Sequence, residues 1–537
     1  MSVLKSSLVF SLGTLLSRFS GLVRDQVVLA YFGVSVILDA FFLAFRIPNL
    51  FREMLAEGAL GGAFTKVYSQ LKERDSKAAQ ALLVQCIQLG LLILLILIGL
   101  GLLIAPFFVD LMTMLANDSS NEVIKFHATG LSRLLFGYLG LAIVGAIVSG
   151  ALFERGKFFL SALAPAGFNL FFIFGAIYLS GWFEEVAPKW WSENVADPRA
   201  SGLAFGVLLG GCFQVLLQAK AILSIPLIKD VLSPRFEVLS DTKQVGRLMV
   251  PAALAGATSP LGVIVNTNFA VLAGEGAITW LMAAFRLFQL PVGLFGVAVG
   301  VVILPRLSKK IKSQTLDPSV HEEIAKALEI VGWLLCPCFV LLMVSNQDII
   351  ALLFEYGNFS YRDTLATSQA LFYYSFGVIG YGFLKVLTSI YYATSRTKYA
   401  MWVTFFCVGV GVLSNYLLVG RMGHVALALT SSITLSLNAL LLLLGLHKYN
   451  PIIIYKRLAF LSFRVSVIAI ICVFAVKLCH FGLNSLHYGF RGDAKIDTFL
   501  RVALDGVVIS AVCFIGVCFF HKLAPRTLVK EFKARSK

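Results

Sequence analysis

The chain has 537 residues, 58% hydrophobic and only 14% charged, with a mean hydropathy of +0.85. Soluble domains carry about 25% charged residues, so this composition excludes a soluble globular protein and points to an integral membrane protein with almost no extramembrane domain. The net charge of +16 raises nucleic acid as a partner, but the placement of the charges decides against it.

Windows of about 20 apolar residues, each long enough to cross a hydrocarbon core of about 30 Å, recur from end to end. They predict an all-α polytopic protein of about fourteen spans, near 6–32, 36–64, 79–109, 126–153, 158–182, 201–228, 245–273, 277–305, 325–354, 364–394, 399–420, 424–446, 458–480 and 498–521. Alternate loops are basic, carrying Lys66, Lys72, Arg74 and Lys77; Arg155 and Lys157; Lys220, Lys229, Arg235, Lys243 and Arg247; Arg306, Lys309, Lys310 and Lys312; Arg396 and Lys398; Lys448, Lys456 and Arg457. The tail from Lys522 to Lys537 continues that series, while the intervening loops are acidic or neutral. Cytoplasmic loops are the ones that collect lysine and arginine, so both termini are predicted to be cytoplasmic. The basic balance reports topology and contact with membrane lipids, not nucleic acid. Lys5 is followed by a full-length span containing Arg18, a pattern that predicts no cleavable signal peptide.

The first two spans are unusual, because Arg18, Arg24, Asp25, Asp39, Arg46, Arg52, Glu53 and Glu57 interrupt them. Each charge at a helix centre costs roughly 2.5–3.5 kcal/mol on insertion scales, so this pair requires a water-filled, charge-lined cavity. At 100° per residue, Arg18 and Asp25 share one face, and Asp39, Arg46 and Glu53 form a second column. Pro48 is expected to bend the second helix, because proline removes a backbone donor and clashes with the preceding turn. The nine cysteines lie in or beside spans and form no CxxC pair, which reads as packing. The histidines fall in loops or at span ends, away from a position suited to a buried general base.

Comparing the chain with itself shows a repeat. Gly33 to Pro48 and Gly276 to Pro291 have identical spacing, and both run through an Ala-Phe-rich helix carrying arginine, LDAFFLAFRIP against LMAAFRLFQLP. A small-residue stretch follows each proline, and Asn169 and Asn415 form a fainter echo. The predicted organisation is an N-terminal lobe over 1–230, a C-terminal lobe over 231–450, and two further helices with a basic tail over 451–537. In the second lobe Arg286, followed by Gln289 and the bend at Pro291, is the expected ligand-facing cation.

The run LLSRFSGLVRDQVVLAYFG…LDAFFLAFRIPNLFREMLAEGAL resembles the amino-terminal signature of the MurJ/MviN lipid II flippases, and LPVGLFGVAVGVVILPRLSK resembles the corresponding stretch of the second lobe. The resemblance implies the multidrug/oligosaccharidyl-lipid/polysaccharide exporter fold, two lobes in a MATE-like V around a cationic cavity. It also implies transport of undecaprenyl-pyrophosphate-linked disaccharide-pentapeptide to the outer leaflet of the bacterial cytoplasmic membrane for peptidoglycan synthesis. Arg18, Arg24, Arg52 and Arg286 would then bind the headgroup, with Asp25, Asp39, Arg46 and Glu57 balancing or gating the cavity. Arginine suits that task because its planar fork matches phosphate oxygens. Lipid II is the expected partner of a monomer, with contact to the cell-wall synthesis machinery as a further expectation, and no cofactor or metal is expected.

The chain departs from the family pattern at Phe285 and Gln289, where relatives place acids around the second-lobe arginine, and its spans seven, eleven and twelve carry no Asp or Glu. The second departure argues against sodium coupling and leaves membrane potential as a candidate driver. An enzyme is disfavoured, since GALFERGKF at 150–158 fails as a phosphate loop. The alternatives are a flippase for another lipid-linked oligosaccharide and a multidrug or cation exporter of the same superfamily.

Overall fold

The structure is a computed structural model that describes residues 3–115, 120–222, 230–231, 233, 240–256, 258–300, 303, 318–394, 396–446, 452–485 and 494–521. The loop residues Lys229, Arg235, Arg306, Lys309, Lys310, Lys312 and Lys448, the tail from 522 onward and the side chain of Glu57 lie outside that description. Every element among the described residues is helical. Among the described residues ten helices are long and apolar enough to cross a membrane, or eleven if the bent pair over Tyr361–Ser375 and Val378–Tyr391 is one span. The protein is therefore a multi-pass membrane protein.

The helices fall into two compact units, Met1–Thr279 with Tyr356–Phe359, and Trp280–Glu355 with Ser360–Lys537. The first contains α1 (Val3–Phe32), α2 (Val36–Phe51), a π-helical segment (Arg52–Leu60), α3 (Gly61–Arg74), α4 (Ser76–Thr113), α5 (Ser120–Glu154), α6 (Phe158–Phe174), a second π segment (Gly175–Leu179), α7 (Ser180–Val186), α8 (Lys189–Asn194), α9 (Pro198–Lys220), α10 (Ser240–Gly256) and α11 (Thr258–Leu272). Its core is built by α5, against which α2, α4 and α9 pack, and by α6, which joins α1 to α9. Small residues permit the closest approach. A Cβ on Gly206 of α9 would meet the Gly175 Cα at 2.5 Å, so these two backbones touch only because both positions are glycine.

The second unit contains most of α12 (Ala277–Pro291), a third π segment (Val292–Gly296), α13 (Pro318–Val344), α14 (Asn346–Phe354), α15 (Tyr361–Ser375), α16 (Val378–Ala393), α17 (Thr397–Met422), α18 (His424–Gly445), α19 (Ile452–Ser485) and α20 (Ala494–His521). Here α18 packs on α15, α16 and α17, while α19 and α20 lie against α13. Two ion pairs join α13 to α19, Glu322 with Arg457 at 3.5 Å and Glu329 with Arg464 at 3.9 Å. Both pairs advance by seven residues on each helix, so α13 and α19 run parallel and meet along one face.

The repeat reappears in the backbone. Gly33 and Gly276 both hold positive φ, 62° and 81°, a conformation that costs any residue with a Cβ. Each lies just before a helix with a proline near its end, and each of those helices passes into a π segment.

Candidate functional site

The charged positions of α1 and α2 occupy distinct environments. Arg24 and Asp25 are buried, at 8% and 4% exposure. Arg24 Nε and Nη2 donate to Asp25 Oδ1 at 2.9 and 2.5 Å, Nη1 donates to Asn169 Oδ1 at 3.0 Å, and the guanidinium lies 4.8 Å from the Phe172 ring centroid. Asn169 and Phe172 stand on successive turns of one face of α6, which packs along α1. The Asn169 amide completes the link by donating to the Ser17 carbonyl and Ser20 Oγ. Arg18, expected to share a face with Asp25, is half-buried, and the adjacent Arg24 is the residue that meets this carboxylate. A buried carboxylate takes the counter-charge that can reach it out of water, and the long arginine chain folds back to do so.

Asp39 is almost fully buried in the first turn of α2. Its carboxylate accepts from the backbone N–H groups of Gly276 and Thr279, at 2.6 and 2.9 Å, and from Thr279 Oγ1 at 2.6 Å. It thereby caps α12, where unsatisfied N–H groups and the positive end of the helix dipole favour an anion. Arg46 Nη1 donates to Thr267 Oγ1 at 2.6 Å, so the column Asp39, Arg46, Glu53 divides among different partners. Arg52 Nε donates to Asn49 Oδ1 and the Asn49 amide donates to Glu53, in a chain one turn beyond Pro48. Arg52 and Glu53 begin the π segment, a geometry often found at functional positions.

In the second unit Arg286 is exposed on α12. Phe288 on the same helix is fully buried, stacking on Tyr374 and Tyr381, which sets the exposed orientation of the arginine two residues earlier.

Sequence reasoning passed over Asn169 as a partner of Arg24, and also the Glu329–Arg464 pair and Asp505, which is 1% exposed on α20. In each case the signal is a single polar side chain inside an apolar span, fainter than the dense charge of the first pair of helices.

A family model described as lipid II flippase MurJ matches residues 28–492. The chain belongs to the MurJ family. It is 30% identical over 523 residues to the lipid II flippase MurJ of Burkholderia cenocepacia, covering 96% of this chain and 95% of that one. A probable lipid II flippase MurJ of Vibrio cholerae is 31% identical over 457 residues, 83% of each chain. Among solved structures, a lipid II flippase MurJ in an inward closed conformation superposes with a TM-score of 0.74 at 24% identity, covering 96% of this chain and 99% of that one. An inward-facing MATE-family multidrug transporter of the MOP superfamily gives 0.65 at 15% identity, covering 81% and 94%. These two likenesses establish a fold shared with MurJ and with MATE transporters. Family membership together with the apolar helices marks the chain as a multi-pass bacterial inner-membrane protein.

Proposed function

We propose that the chain is a lipid II flippase, moving undecaprenyl-pyrophosphate-linked disaccharide-pentapeptide from the inner to the outer leaflet for peptidoglycan synthesis. Membership of the MurJ family supports this reading, and the buried Arg24–Asp25–Asn169 cluster is the structural observation that carries it. A buried guanidinium held by a carboxylate and an amide can exchange those acceptors for phosphate oxygens, chemistry that a pyrophosphate headgroup supplies.

Arg18, Arg24 and Arg52 of the first unit and Arg286 of the second are assigned to the headgroup. Asp25, Asp39, Arg46 and Glu57 hold charge balance or gating roles, and Pro48 and Pro291 are bend points for alternating access. The chain transports without covalent chemistry, as a monomer with cytoplasmic termini, its lobes spanning 1–230 and 231–450 and its last two helices lying within 451–537. Direct contact with the cell-wall synthesis machinery is part of the same proposal.

The experiment is the leaflet distribution of lipid-linked peptidoglycan precursor after rapid inactivation of the chain in its host, scored by access of an external probe to the pyrophosphate-linked sugar. Confinement to the cytoplasmic leaflet is the expected result. An unchanged distribution refutes the assignment and moves the weight to another lipid-linked oligosaccharide or an exported small molecule.

A further inference from the structure

The last two helices carry a polar cluster that the flippase reading leaves unused. Two contacts fix their antiparallel register. Cys472 Sγ lies 3.8 Å from Cys513 Sγ, and eight residues further along α19 and eight back along α20, His480 Nε2 lies 2.9 Å from Asp505 Oδ1. Asp505 is withdrawn from solvent, and its second oxygen accepts from Ser345 Oγ at 2.7 Å, at the junction of α13 and α14. Close by, Lys495 Nζ donates to the carbonyls of Ala351 and Glu355, closing the C-terminal end of α14. One carboxylate thus ties α19 and α20 to the end of α13.

The surrounding charges do not balance around a neutral ring. Asp348 on α14 interacts electrostatically with Arg501, Asp505 and His480. Asp348 and Asp505 supply two negative charges and Arg501 one positive. Lys495 is turned to the α14 carbonyls, Lys477 on α19 is exposed, and Asp497 lies two turns before Asp505 on α20. A carboxylate can only accept, so the imidazole presents its Nε2–H to Asp505 and keeps Nδ1 as the basic nitrogen. His480 is about one-third exposed, 35% for its side chain, whereas the Asp505 side chain is enclosed at 1%, so the ring is the member of the pair with an open edge. Imidazole is the side chain that exchanges its proton near neutral pH, and ionisable groups within spans are characteristic of proton relays.

We propose that His480 and Asp505 form a proton-binding site on the α19–α20 pair. A proton from water adds to His480 Nδ1, the resulting imidazolium is held by the Asp505 carboxylate, and the reverse step returns the proton to water. Occupancy of the site neutralises the Asp348–Asp505–Arg501 group.

The test uses the full chain in lipid nanodiscs with 15N-labelled histidine, reading the ring nitrogens between about pH 5 and about pH 8, the range in which imidazole exchanges its proton. His480→Gln identifies the resonance, and cross-linking of Cys472 to Cys513 by a membrane-permeant oxidant reports that the helix pair is intact. The expected result is a His480 signal that converts to imidazolium within this range, with the imidazolium fraction at a given acidic pH falling at least threefold in Asp505→Asn. Asp348→Asn leaves the hydrogen-bonded pair in place and is expected to lower that fraction in the same direction, which keeps the test decisive if Asp505→Asn loses the cross-link. A ring that stays neutral throughout, or a fraction unchanged in both variants, overturns the proposal.

Discussion

Arg24 on α1 and Asn169 on α6 are joined by a 3.0 Å hydrogen bond that, together with Asp25, engages all three guanidinium nitrogens. On the proposed assignment of Arg24 to the headgroup, a phosphate would displace a protein acceptor to reach this arginine. Arg24→Ala leaves Asp25 buried without its counter-charge, which destabilises the chain by about 3 kcal/mol, at the lower end for a broken buried pair. Arg24→Ala combined with Asp25→Ala removes that penalty. The double variant is expected to recover membrane abundance and thermal midpoint without recovering transport. Recovery of both would show that Arg24 serves only the fold.

The cap on α12 yields a graded series. Thr279→Val removes one hydroxyl donor to Asp39 and costs about 1 kcal/mol, whereas Asp39→Ala strands two backbone N–H groups and costs about 2–3 kcal/mol. Asp39→Asn keeps an acceptor but loses the charge that faces the helix dipole, and falls between the two. Denaturation midpoints of the purified variants give the order, and an Asp39→Ala no worse than Thr279→Val removes the carboxylate's capping role.

Between α13 and α19 the Glu329–Arg464 pair is largely enclosed, with side-chain exposures of 18% and 13%, and the guanidinium also stacks over Phe460 at 3.8 Å. Arg464→Leu alone leaves Glu329 facing an apolar neighbour and is expected to cost about 3 kcal/mol, while Arg464→Leu with Glu329→Leu recovers most of it. The measurement is the thermal midpoint of single and double variants. Additive losses would mean that the two charges do not interact.

How far this was legible in the sequence follows from these residues. Arginine and aspartate in an apolar run announce themselves, and so did the matched glycine and proline positions of the repeat. Choice of partner did not. Seven-residue spacing pointed Arg18 towards Asp25, but the distance that a side chain spans and the burial of the carboxylate select Arg24. Nothing in LDAFF states that Asp39 turns to another helix's N-terminus, because that depends on packing between segments far apart in the chain. Asp505 sits alone in its stretch, and its partners Ser345 and His480 come from two other helices.

Gly33 and Gly276 test the repeat itself. Alanine at Gly276 forces a residue with a Cβ into positive φ, at about 1 kcal/mol. At Gly33 the new Cβ would also lie 2.6 Å from the Asn358 carbonyl oxygen, so Gly33→Ala is expected to cost at least twice as much. Chemical denaturation compares them, and equal losses would show that the loop around Asn358 yields freely.

The prolines separate stability from transport. Pro48 lies within α2, Pro291 ends α12, and each helix then widens into a π segment, so both positions hold backbone that a regular helix would not. Alanine at either site restores an N–H and removes the ring's clash with the preceding turn, which favours a straighter helix. If the bend points proposed at Pro48 and Pro291 serve the transport cycle, Pro48→Ala and Pro291→Ala will each leave abundance and thermal midpoint unchanged or raised while slowing flipping severalfold, the exchange of activity for stability expected where function depends on strained backbone. Flipping at the unaltered rate in both variants would mean that the bends are only a way of packing these helices, and that the shape change of the cycle arises elsewhere in the chain.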